Sequence, residues 1–386
     1  MPEQKVKLLL VGMCDSIHFA RWVTSIDFSK YQVRIVSSSP HRRIHPLLRS
    51  ILGNSSKDSE ASMSLVSRYF SLALWILDRR WLLSDYLRSS IVARELRRFK
   101  PSVVHAFETQ NAGYLLLRSG KEISRKGVKT VLSLYGSDLS WFSKIPYHST
   151  KIKNLLPAVD ALHYECTRDS HLAKSLGFSG LLLPQSPAAP SISEGESLRE
   201  SKERPYVLVK GYQNKWGRGA NIIRAIQNVR HLLGGKKIVV ISAESNVPKL
   251  ARKLLRTQGV DVEVYGKNSL THEQVLGFLS KSEIYIAASM SDGLPATFIE
   301  AMYCGAFPIQ TSTACVGEWV EDGQNTLLIQ DPNSVTEITN KLEEALSNDG
   351  LRDAAREKNF AIAKRIYALA PRDSFTQRVY DSVKSL

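Results

Sequence analysis

Two carboxylates in the second half of the chain have a spacing that suits a ligand site. Asp292 lies in a loop that follows the apolar run 283–288, and Glu300 lies about one turn inside the helical segment that comes next. In an open α/β sheet, ligands bind where a buried strand ends and a helix begins. The unpaired N–H groups at a helix start also favour a phosphate. The pattern indicates a site for a sugar carried on a diphosphate, although residues of these types also serve simply as helix caps.

The stretch from Ser291 to Pro308 resembles the signature of the family-4 glycosyltransferases of GT-B fold. That signature consists of an acidic residue, seven further residues and a glutamate, followed by Ala-Met, Gly and Pro. Here Asp292 stands where the family usually has glutamate, and Glu300 has the expected spacing. The resemblance is close over 206–346 and looser over 5–185. It implies a transferase that uses a nucleotide sugar and retains the anomeric configuration.

The resemblance also implies roles for individual residues of the second half. Glu300 would accept hydrogen bonds from the ribose hydroxyls, and Asp292 would hold the transferred sugar together with the backbone of Gly293 and Leu294. Tyr265 ends a strand at the place where the family binds the nucleotide base. The donor-binding residues are therefore predicted to be Glu300, Lys215, Gly293, Leu294, Pro295, Gly211 and Tyr265. The predicted catalytic residues are Asp292, Arg218 and Asp138.

A basic side chain is predicted beside the acidic loop. Arg218 and Gly219 begin a helix after the strand 206–211, and the family has Lys-Gly at nearly this position, with the lysine on the diphosphate. An arginine can bind two phosphate oxygens at once. Lys215 is a second candidate, and either residue could instead be merely exposed. No Asp-x-Asp metal motif is present, so we expect neither a metal nor a cofactor, and the nucleotide sugar is a substrate.

The first half offers candidates for the acceptor side. Gly12 follows the buried strand 6–11 and resembles the first loop of GT-B transferases, which often carry two glycines there. His18 lies in the next helix and could line the cleft or pack within the helical layer. His105 lies in the strand 102–108, where we expect it at the carboxyl end facing the cleft.

A second acceptor-side motif follows the strand 129–135. The run Gly-Ser137-Asp138 resembles the His-Gly-Ser-Asp of many family-4 transferases, but Tyr135 occupies the histidine position. Ser137 and Asp138 are candidates for a sugar hydroxyl or for the acceptor. Asp138 could alternatively cap the following helix.

Strands alternate with helices along the whole chain, which predicts an α/β protein. The resemblance makes this a GT-B fold: two Rossmann-like domains with parallel sheets facing a central cleft, and a C-terminal helix crossing back. We predict an acceptor domain at 1–184, a linker at 185–205, a donor domain at 206–370 and the crossing helix at 371–386. Residues 37–63 are predicted to be a polar, basic loop. The first strand–helix–strand unit lacks three spaced glycines, so NAD binding is not expected.

The net charge of +15 is unevenly distributed. Residues 1–200 contain 28 basic and 17 acidic residues, a net of +11, which leaves +4 for the remainder. A basic half could contact nucleic acid or an anionic membrane, or simply be a solvated surface. The apolar segment 65–83 has basic residues near its end and could lie at a membrane interface or cover the sheet as a core helix.

The start of the chain shows no signal-peptide pattern, and no apolar run is long enough to span a bilayer. Four scattered cysteines are expected to be free thiols. We therefore predict a cytoplasmic protein, with peripheral attachment to the inner face of the membrane as an option.

The predicted acceptor is a glycan or a lipid-linked glycan, in the synthesis of cell-surface polysaccharide or lipopolysaccharide. One alternative is a nucleotide-sugar 2-epimerase of the same fold. Another is a non-enzymatic basic protein that binds membrane or nucleic acid. We do not expect a nucleic-acid partner, because no binding module is legible in the sequence.

Overall fold

The computed structural model describes residues 5–39, 44–52, 61–63, 85–187, 201, 203–369 and 373–386. The chain forms two compact units: unit 1 consists of Met1–Ala188 and Pro371–Leu386, and unit 2 of Ala189–Ala370. The apolar segment 65–83 and most of the predicted linker 185–205 lie outside the described residues.

Unit 1 contains a parallel sheet of seven described strands. They are β1 (Val6–Gly12), β2 (Tyr31–Ser37), β3 (Ala61–Met63), β4 (Val103–Phe107), β5 (Lys129–Ser133), β6 (Ala161–His163) and β7 (Leu181–Leu182). Their order in the sheet is β3-β2-β1-β4-β5-β6-β7. The strand order reverses between β1 and β4, and in a doubly wound sheet ligands bind at the carboxyl end of such a switch point.

Helices cover both faces of this sheet. The described α-helices of the first part of the chain are α1 (Ile17–Thr24), α2 (Pro46–Ile51), α3 (Tyr86–Phe99), α4 (Tyr114–Arg118), α5 (Gly120–Arg125), α6 (Pro146–Leu155) and α7 (Thr167–Ser175). The helices α3 to α7 share one core cluster on one face, whereas α1 and α2 pack on the other. The predicted loop 37–63 is wrong in part, because α2 and the edge strand β3 lie within it.

Unit 2 has a second parallel sheet, of six described strands. They are β8 (Tyr206–Lys210), β9 (Lys237–Ala243), β10 (Val262–Gly266), β11 (Ser282–Ile286), β12 (Phe307–Thr311) and β13 (Leu327–Ile329), in the order β10-β9-β8-β11-β12-β13. Its α-helices are α8 (Gly219–Asn228), α9 (Val247–Gln258), α10 (His272–Ser280), α11 (Ala296–Tyr303), α12 (Val335–Ser347) and α13 (Asp349–Ala368). The switch point lies between β8 and β11. Both sheets are parallel and Rossmann-like, as predicted.

The last helix, α14 (Asp373–Lys384), belongs to unit 1 although it follows unit 2 in the chain. Its buried residues Phe375, Val379 and Tyr380 join the core formed by β1, α1 and α2. The helix therefore crosses back to the first unit, in agreement with the predicted fold. Among the described residues, none of the helices combines the length and the apolar character needed to cross a membrane.

A buried hydrogen-bond chain attaches α14 to the sheet. The indole Nε1–H of Trp22 donates to the hydroxyl oxygen of Tyr380 at 2.9 Å, and that hydroxyl lies 3.1 Å from Nδ1 of His105. The other ring nitrogen of His105 lies 2.8 Å from Oγ of Ser133, which is 3.0 Å from Nδ1 of His163. Because an indole can only donate, the hydroxyl oxygen of Tyr380 accepts from Trp22. Burial lowers the pKa of His105 and of His163, which favours the neutral form of both imidazoles.

We expect Tyr380→Phe to lower the free energy of unfolding by about 2–4 kcal/mol, because it leaves Trp22 Nε1 and His105 Nδ1 buried without a partner. Urea unfolding measures this change. Tyr86→Phe, which alters an exposed tyrosine, is the matched control and should stay close to the wild type. Equal stability of the two variants would contradict the assigned chain.

Candidate functional site

The loop after β8 depends on close backbone packing. A Cβ on Gly217 would lie 2.3 Å from the carbonyl oxygen of Tyr212, and a Cβ on Gly219 would lie 2.8 Å from the carbonyl carbon of Gly211. Glycine at these positions therefore lets the start of α8 approach the end of β8. The predicted residue Gly211 is buried in this contact and serves the packing of the loop.

The loops after β8 and β11 are joined to each other. Gly217 and Ser289 form an antiparallel bridge, and the backbone N–H of Arg218 donates to the carbonyl of Ala288 at 2.9 Å. These are the two loops of the switch point. The start of α8 thus lies beside the loop that carries Asp292, which is the arrangement that the sequence suggested.

Arg218 is held in place by the surrounding loops. Its Nε donates to Oδ1 of Asn333 at 2.7 Å, and its Nη1 donates to the carbonyl of Gly217 at 2.9 Å, with longer contacts to the carbonyls of Asn214 and Lys215. Within the described part of the chain, Nη2 makes no hydrogen bond. Arg218 therefore offers one nitrogen to an anion in this arrangement, whereas binding two oxygens would require it to leave Asn333 or the loop.

The acidic loop is ordered by its own backbone. Oδ1 of Asp292 accepts the N–H of Gly293 at 2.9 Å, and the Gly293 carbonyl accepts the N–H of Cys315 at 2.9 Å. Leu294 and Pro295 are buried, and Pro295 precedes α11 without a side-chain cap. The Gly293 amide, predicted to hold a sugar, is thus donated to Asp292 here, while the first turn of α11 has no side-chain partner at its start.

Glu300 is buried on α11 and is paired with a histidine. Its Oε1 lies 2.8 Å from Nε2 of His272, the first residue of α10. A capping box fixes the start of α10: the side chain of Thr271 accepts the N–H of Gln274, and the side chain of Gln274 accepts the N–H of Thr271. The second oxygen of Glu300 makes no hydrogen bond with the described residues and remains for a ligand.

Tyr285 is a polar group that the apolar pattern of β11 concealed. It is fully buried, and its hydroxyl has no hydrogen-bond partner in the described part of the chain. Burial raises the pKa of Tyr285 well above its usual range, and the nearby acids Asp292 and Glu300 raise it further. The hydroxyl thus stays protonated among these acids.

One of the predicted donor-binding side chains, that of Tyr265, points elsewhere. The hydroxyl of Tyr265 donates to Glu263 at 2.9 Å, and Glu263 pairs with Lys237 at 2.9 Å, at the amino end of β9. The Tyr265 side chain is therefore directed away from the carboxyl edge, although its backbone ends β10. Lys215 is exposed, with its Nζ 4.9 Å from the ring centre of Trp216.

In unit 1, Asp138 ties together the loops after β4 and β5. Its Oδ2 accepts the N–H groups of Thr109 and Tyr135, each at 3.0 Å. It does not cap the following helix. Burial raises the pKa of Asp138 well above its usual range, and the adjacent carboxylate of Glu108 raises it further. The raised pKa extends the pH range over which Asp138 keeps its proton.

Glu108 is the partner of Asp138 and has an unusual backbone. Its φ is 76°, in the left-handed region that side chains other than glycine rarely adopt. Its carboxylate accepts the N–H groups of Gln110, Asn111 and Ala112 at 2.9–3.1 Å, which closes the helical segment Glu108–Gly113. Burial raises the pKa of Glu108, and these amides counteract that effect.

We expect Asp138→Asn to keep the fold and to change how stability depends on pH. A carboxyl group whose pKa is raised in the folded state stabilises the fold at acid pH, and this contribution is lost as the pH rises from about 3.8 towards the raised value. Asparagine accepts the same two amides without ionising. The stability of the variant relative to the wild type should therefore increase with pH, by up to about 1.4 kcal/mol per pH unit. Urea unfolding over a pH series tests this, and parallel curves would contradict it.

His105 does not lie at the carboxyl end of its strand. It is the middle residue of β4, is fully buried, stacks on Phe107 and bonds Tyr380. Burial lowers its pKa well below the usual range. The prediction placed His105 at the carboxyl end of the strand. This placement is wrong, because two further residues of β4 follow His105.

The remaining acceptor-side residues lie at the carboxyl edge of the sheet of unit 1. A Cβ on Gly12 would come within 2.6 Å of the ring of Phe19, so this glycine lets α1 pack onto β1. The ring of His18 lies 5.8 Å from that of Tyr135, which connects the loop after β5 with α1. Ser137 is half-buried in the loop that contains Asp138.

Residues 193–361 match the family model Glycosyl transferases group 1. They include both loops of the unit 2 switch point, with Arg218, Asp292 and Glu300. Two curated relatives from Methanocaldococcus jannaschii agree: the uncharacterized glycosyltransferase MJ1069 is 28% identical over 174 residues, 44% of each chain. MJ1178, also named an uncharacterized glycosyltransferase, is 30% identical over 108 residues, 26% of this chain and 30% of its own. The chain thus spans less than half the length of the curated relatives it matches.

Solved structures share the fold over almost the whole chain. HepE of Anabaena in complex with UDP has a TM-score of 0.66 at 11% identity, covering 99% of this chain and 100% of that one. Sucrose-phosphate synthase of Thermosynechococcus elongatus has a TM-score of 0.69 at 12% identity, covering 99% of both chains. The fold is therefore that of the GT-B glycosyltransferases.

Three residues within 193–361 that contact the candidate site were not predicted from the sequence. They are Asn333, which bonds Arg218, His272, which bonds Glu300, and Tyr285, which lies near Asp292 and Glu300. Asn333 and His272 follow or begin elements at the same edge of the sheet, and this position is the signal that could have found them. Tyr285 carried no signal, since a tyrosine within an apolar strand usually belongs to the core.

Proposed function

We propose that the protein is a retaining, metal-independent glycosyltransferase that moves a sugar from a nucleotide-sugar donor to a glycan or lipid-linked glycan. The observation that supports this most is the joining of the two switch-point loops, which sets Arg218 beside the Asp292 loop in unit 2. The match of residues 193–361 to the group 1 family supports the same activity. The structures of HepE with UDP and with UDP-glucose make a uridine nucleotide the first donor to examine.

The proposed donor site divides the work among four charged side chains. The free oxygen of Glu300 accepts the ribose hydroxyls, while His272 holds the other oxygen. Asp292 orients the transferred sugar. Nη2 of Arg218, together with Lys215, neutralises the diphosphate as the bond from the sugar to its oxygen breaks. Negative charge grows on that oxygen, so a fixed cation there stabilises the transition state.

The acceptor is proposed to bind to unit 1 through the loop that carries Ser137 and Asp138. Asp138 joins two loops of this region by accepting the amides of Thr109 and Tyr135. The basic character of the first half of the chain supports an acidic acceptor such as a lipid diphosphate glycan at the cytoplasmic face of a membrane, in cell-surface polysaccharide or lipopolysaccharide synthesis.

A donor screen tests the proposal. The melting temperature of the protein is measured with UDP-, GDP-, ADP- and dTDP-sugars, and we expect one nucleotide class to raise it. Incubation with the selected donor and candidate acceptors, followed by NMR of the anomeric proton, then establishes transfer and its stereochemistry. Conversion of the donor to its 2-epimer without an acceptor would show that the protein is an epimerase and not a transferase. Stabilisation by RNA and by none of the nucleotide sugars would overturn the proposal.

A further inference from the structure

The outer surface of the helices α3 to α5 in unit 1 is uniformly basic. Between residues 86 and 128, every charged side chain that is exposed is a lysine or an arginine. We call this set the basic face; its members are Arg94, Arg97, Arg98, Lys100, Arg118, Lys121, Arg125 and Lys126.

These residues belong to one surface. Val92 and Leu96 of α3 share a core cluster with Ile123 of α5, so both helices cover the same side of the sheet. The exposed sides of the helices also meet: Nη1 of Arg97 lies 4.0 Å from Glu122 of α5. At the other end of α3, the guanidinium of Arg118 lies 5.7 Å from the ring centre of Tyr86.

The acids of this layer are directed inward. Asp85 pairs with the buried Arg88, and Glu95 is buried beside Arg34. Among the described acids of residues 85–128, Glu122 is the one that contacts the basic face, 4.0 Å from Arg97. Within the part of the chain that the structure describes, six side chains of the face form no ion pair and no hydrogen bond; these are Arg94, Arg98, Lys100, Lys121, Arg125 and Lys126.

Unit 2 contains both paired and unpaired basic residues. Lys236 pairs with Glu283 at 3.0 Å, and Lys267 pairs with Glu244 at 3.2 Å, whereas the exposed Lys249, Arg252 and Lys253 of α9 form no ion pair with the described residues. The basic face differs from α9 in that it extends over three helices.

Helix dipoles do not explain the whole face. Basic residues at the C-terminal end of a helix are favourable, which accounts for Arg97, Arg98, Arg118 and Arg125 in last turns and for the C-cap residues Lys100 and Lys126. Arg94 and Lys121 lie away from these ends. The mutual repulsion of the basic residues is a cost in the isolated protein, and an anionic partner removes it.

We propose that the basic face binds the phosphate headgroups of an anionic membrane and so docks unit 1 on its surface. An anionic bilayer matches a basic surface spread over several helices, because each lysine or arginine that comes near it adds roughly fivefold to the partition coefficient. Single-stranded nucleic acid would need a row of stacking rings, whereas Tyr86 is the single large exposed aromatic of this face in the described residues. In the sequence, the apolar stretch 65–83 ends just before α3.

A flotation assay with the full chain tests this surface. Vesicles of phosphatidylcholine with phosphatidylglycerol should bind the wild type at low salt, and vesicles of phosphatidylcholine alone should not. The variant Arg94→Glu, Lys121→Glu, Lys126→Glu should lose at least roughly a hundredfold in partition. The matched control Lys249→Glu, Arg252→Glu, Lys253→Glu makes the same charge change on α9 of unit 2 and should stay within a few-fold of the wild type. Added salt should weaken binding.

Three outcomes would overturn the proposal: no binding to anionic vesicles, an equal loss in both triple variants, or binding of a uridine oligoribonucleotide that the basic-face variant loses while vesicles are ignored. Lys121→Glu alone repeats the test if the triple variant melts early. The proposal rests on the membrane-bound part of the proposed function, and the experiments that test the two are independent of each other. Vesicle binding needs no donor, so a failed donor screen with intact flotation rejects the transferase and leaves the surface standing.

Discussion

Arg218→Ala should lower kcat/KM for sugar transfer by roughly 10²–10³-fold with the fold intact. The removal of one preorganised donor from a developing negative charge typically has an effect of this size. The guanidinium is placed for this task by its own hydrogen bonds, since Asn333 and the Gly217 carbonyl fix its plane and leave Nη2 for the diphosphate. Steady-state kinetics with the donor found by the screen measure the change.

Two further variants separate the effect of the positive charge of Arg218 from its structural effect on the loop. Asn333→Ala removes the partner of Nε but keeps the cation, so we expect a loss of less than about tenfold. Arg218→Lys keeps a point charge without the planar fork and should fall between the two. If Asn333→Ala is as damaging as Arg218→Ala, then the arginine supports the loop and does not neutralise the leaving group.

Glu300→Gln should lower kcat/KM about a hundredfold, mainly by raising KM for the donor. The change is nearly isosteric, but it replaces a charged acceptor by a neutral amide, and hydrogen bonds to charged groups contribute about 1.5–3 kcal/mol each. Because His272 holds Oε1, the loss falls on the oxygen that faces the ligand. Isothermal titration with the donor nucleotide separates binding from turnover.

Glu273→Gln is the matched control for this variant. It makes the same chemical change at an exposed position of α10, one residue after His272, and should leave donor binding unaltered. Wild-type donor affinity in Glu300→Gln would remove Glu300 from the ribose and leave the acidic motif without its proposed role.

The arrangement of strands and helices was accessible to sequence reasoning because it depends on local patterns. Buried parallel strands are continuous apolar runs, and the covering helices have an apolar stripe. The short elements at an edge were missed: β3 has three residues and α2 has six. Such elements are too short to establish a periodicity, so the polar composition of 37–63 concealed them.

The sequence predicted residues in loops that follow strands more reliably than residues inside a strand. The placement of Asp292, Arg218 and Glu300 near the switch point was predicted because the segments that carry them follow β8 and β11, and their roles in binding stay a prediction. His105 was placed wrongly because the pattern of a fully buried strand does not show which residue is its last. In the structure the two hydrogen-bond partners of the His105 ring are Tyr380, 275 positions away, and Ser133, 28 positions away.

The sequence by itself determined an α/β chain with two parallel-sheet units, an acidic motif at a strand end and a cation at the start of α8. These properties follow from burial and capping within short segments. Only the tertiary structure decided which atoms remain for a ligand: it assigned Nε of Arg218 to Asn333, one oxygen of Glu300 to His272, and Oδ2 of Asp138 to the amides of Thr109 and Tyr135. Such assignments depend on contacts between distant segments, as in the separation of 115 positions between Arg218 and Asn333, and no local pattern encodes them.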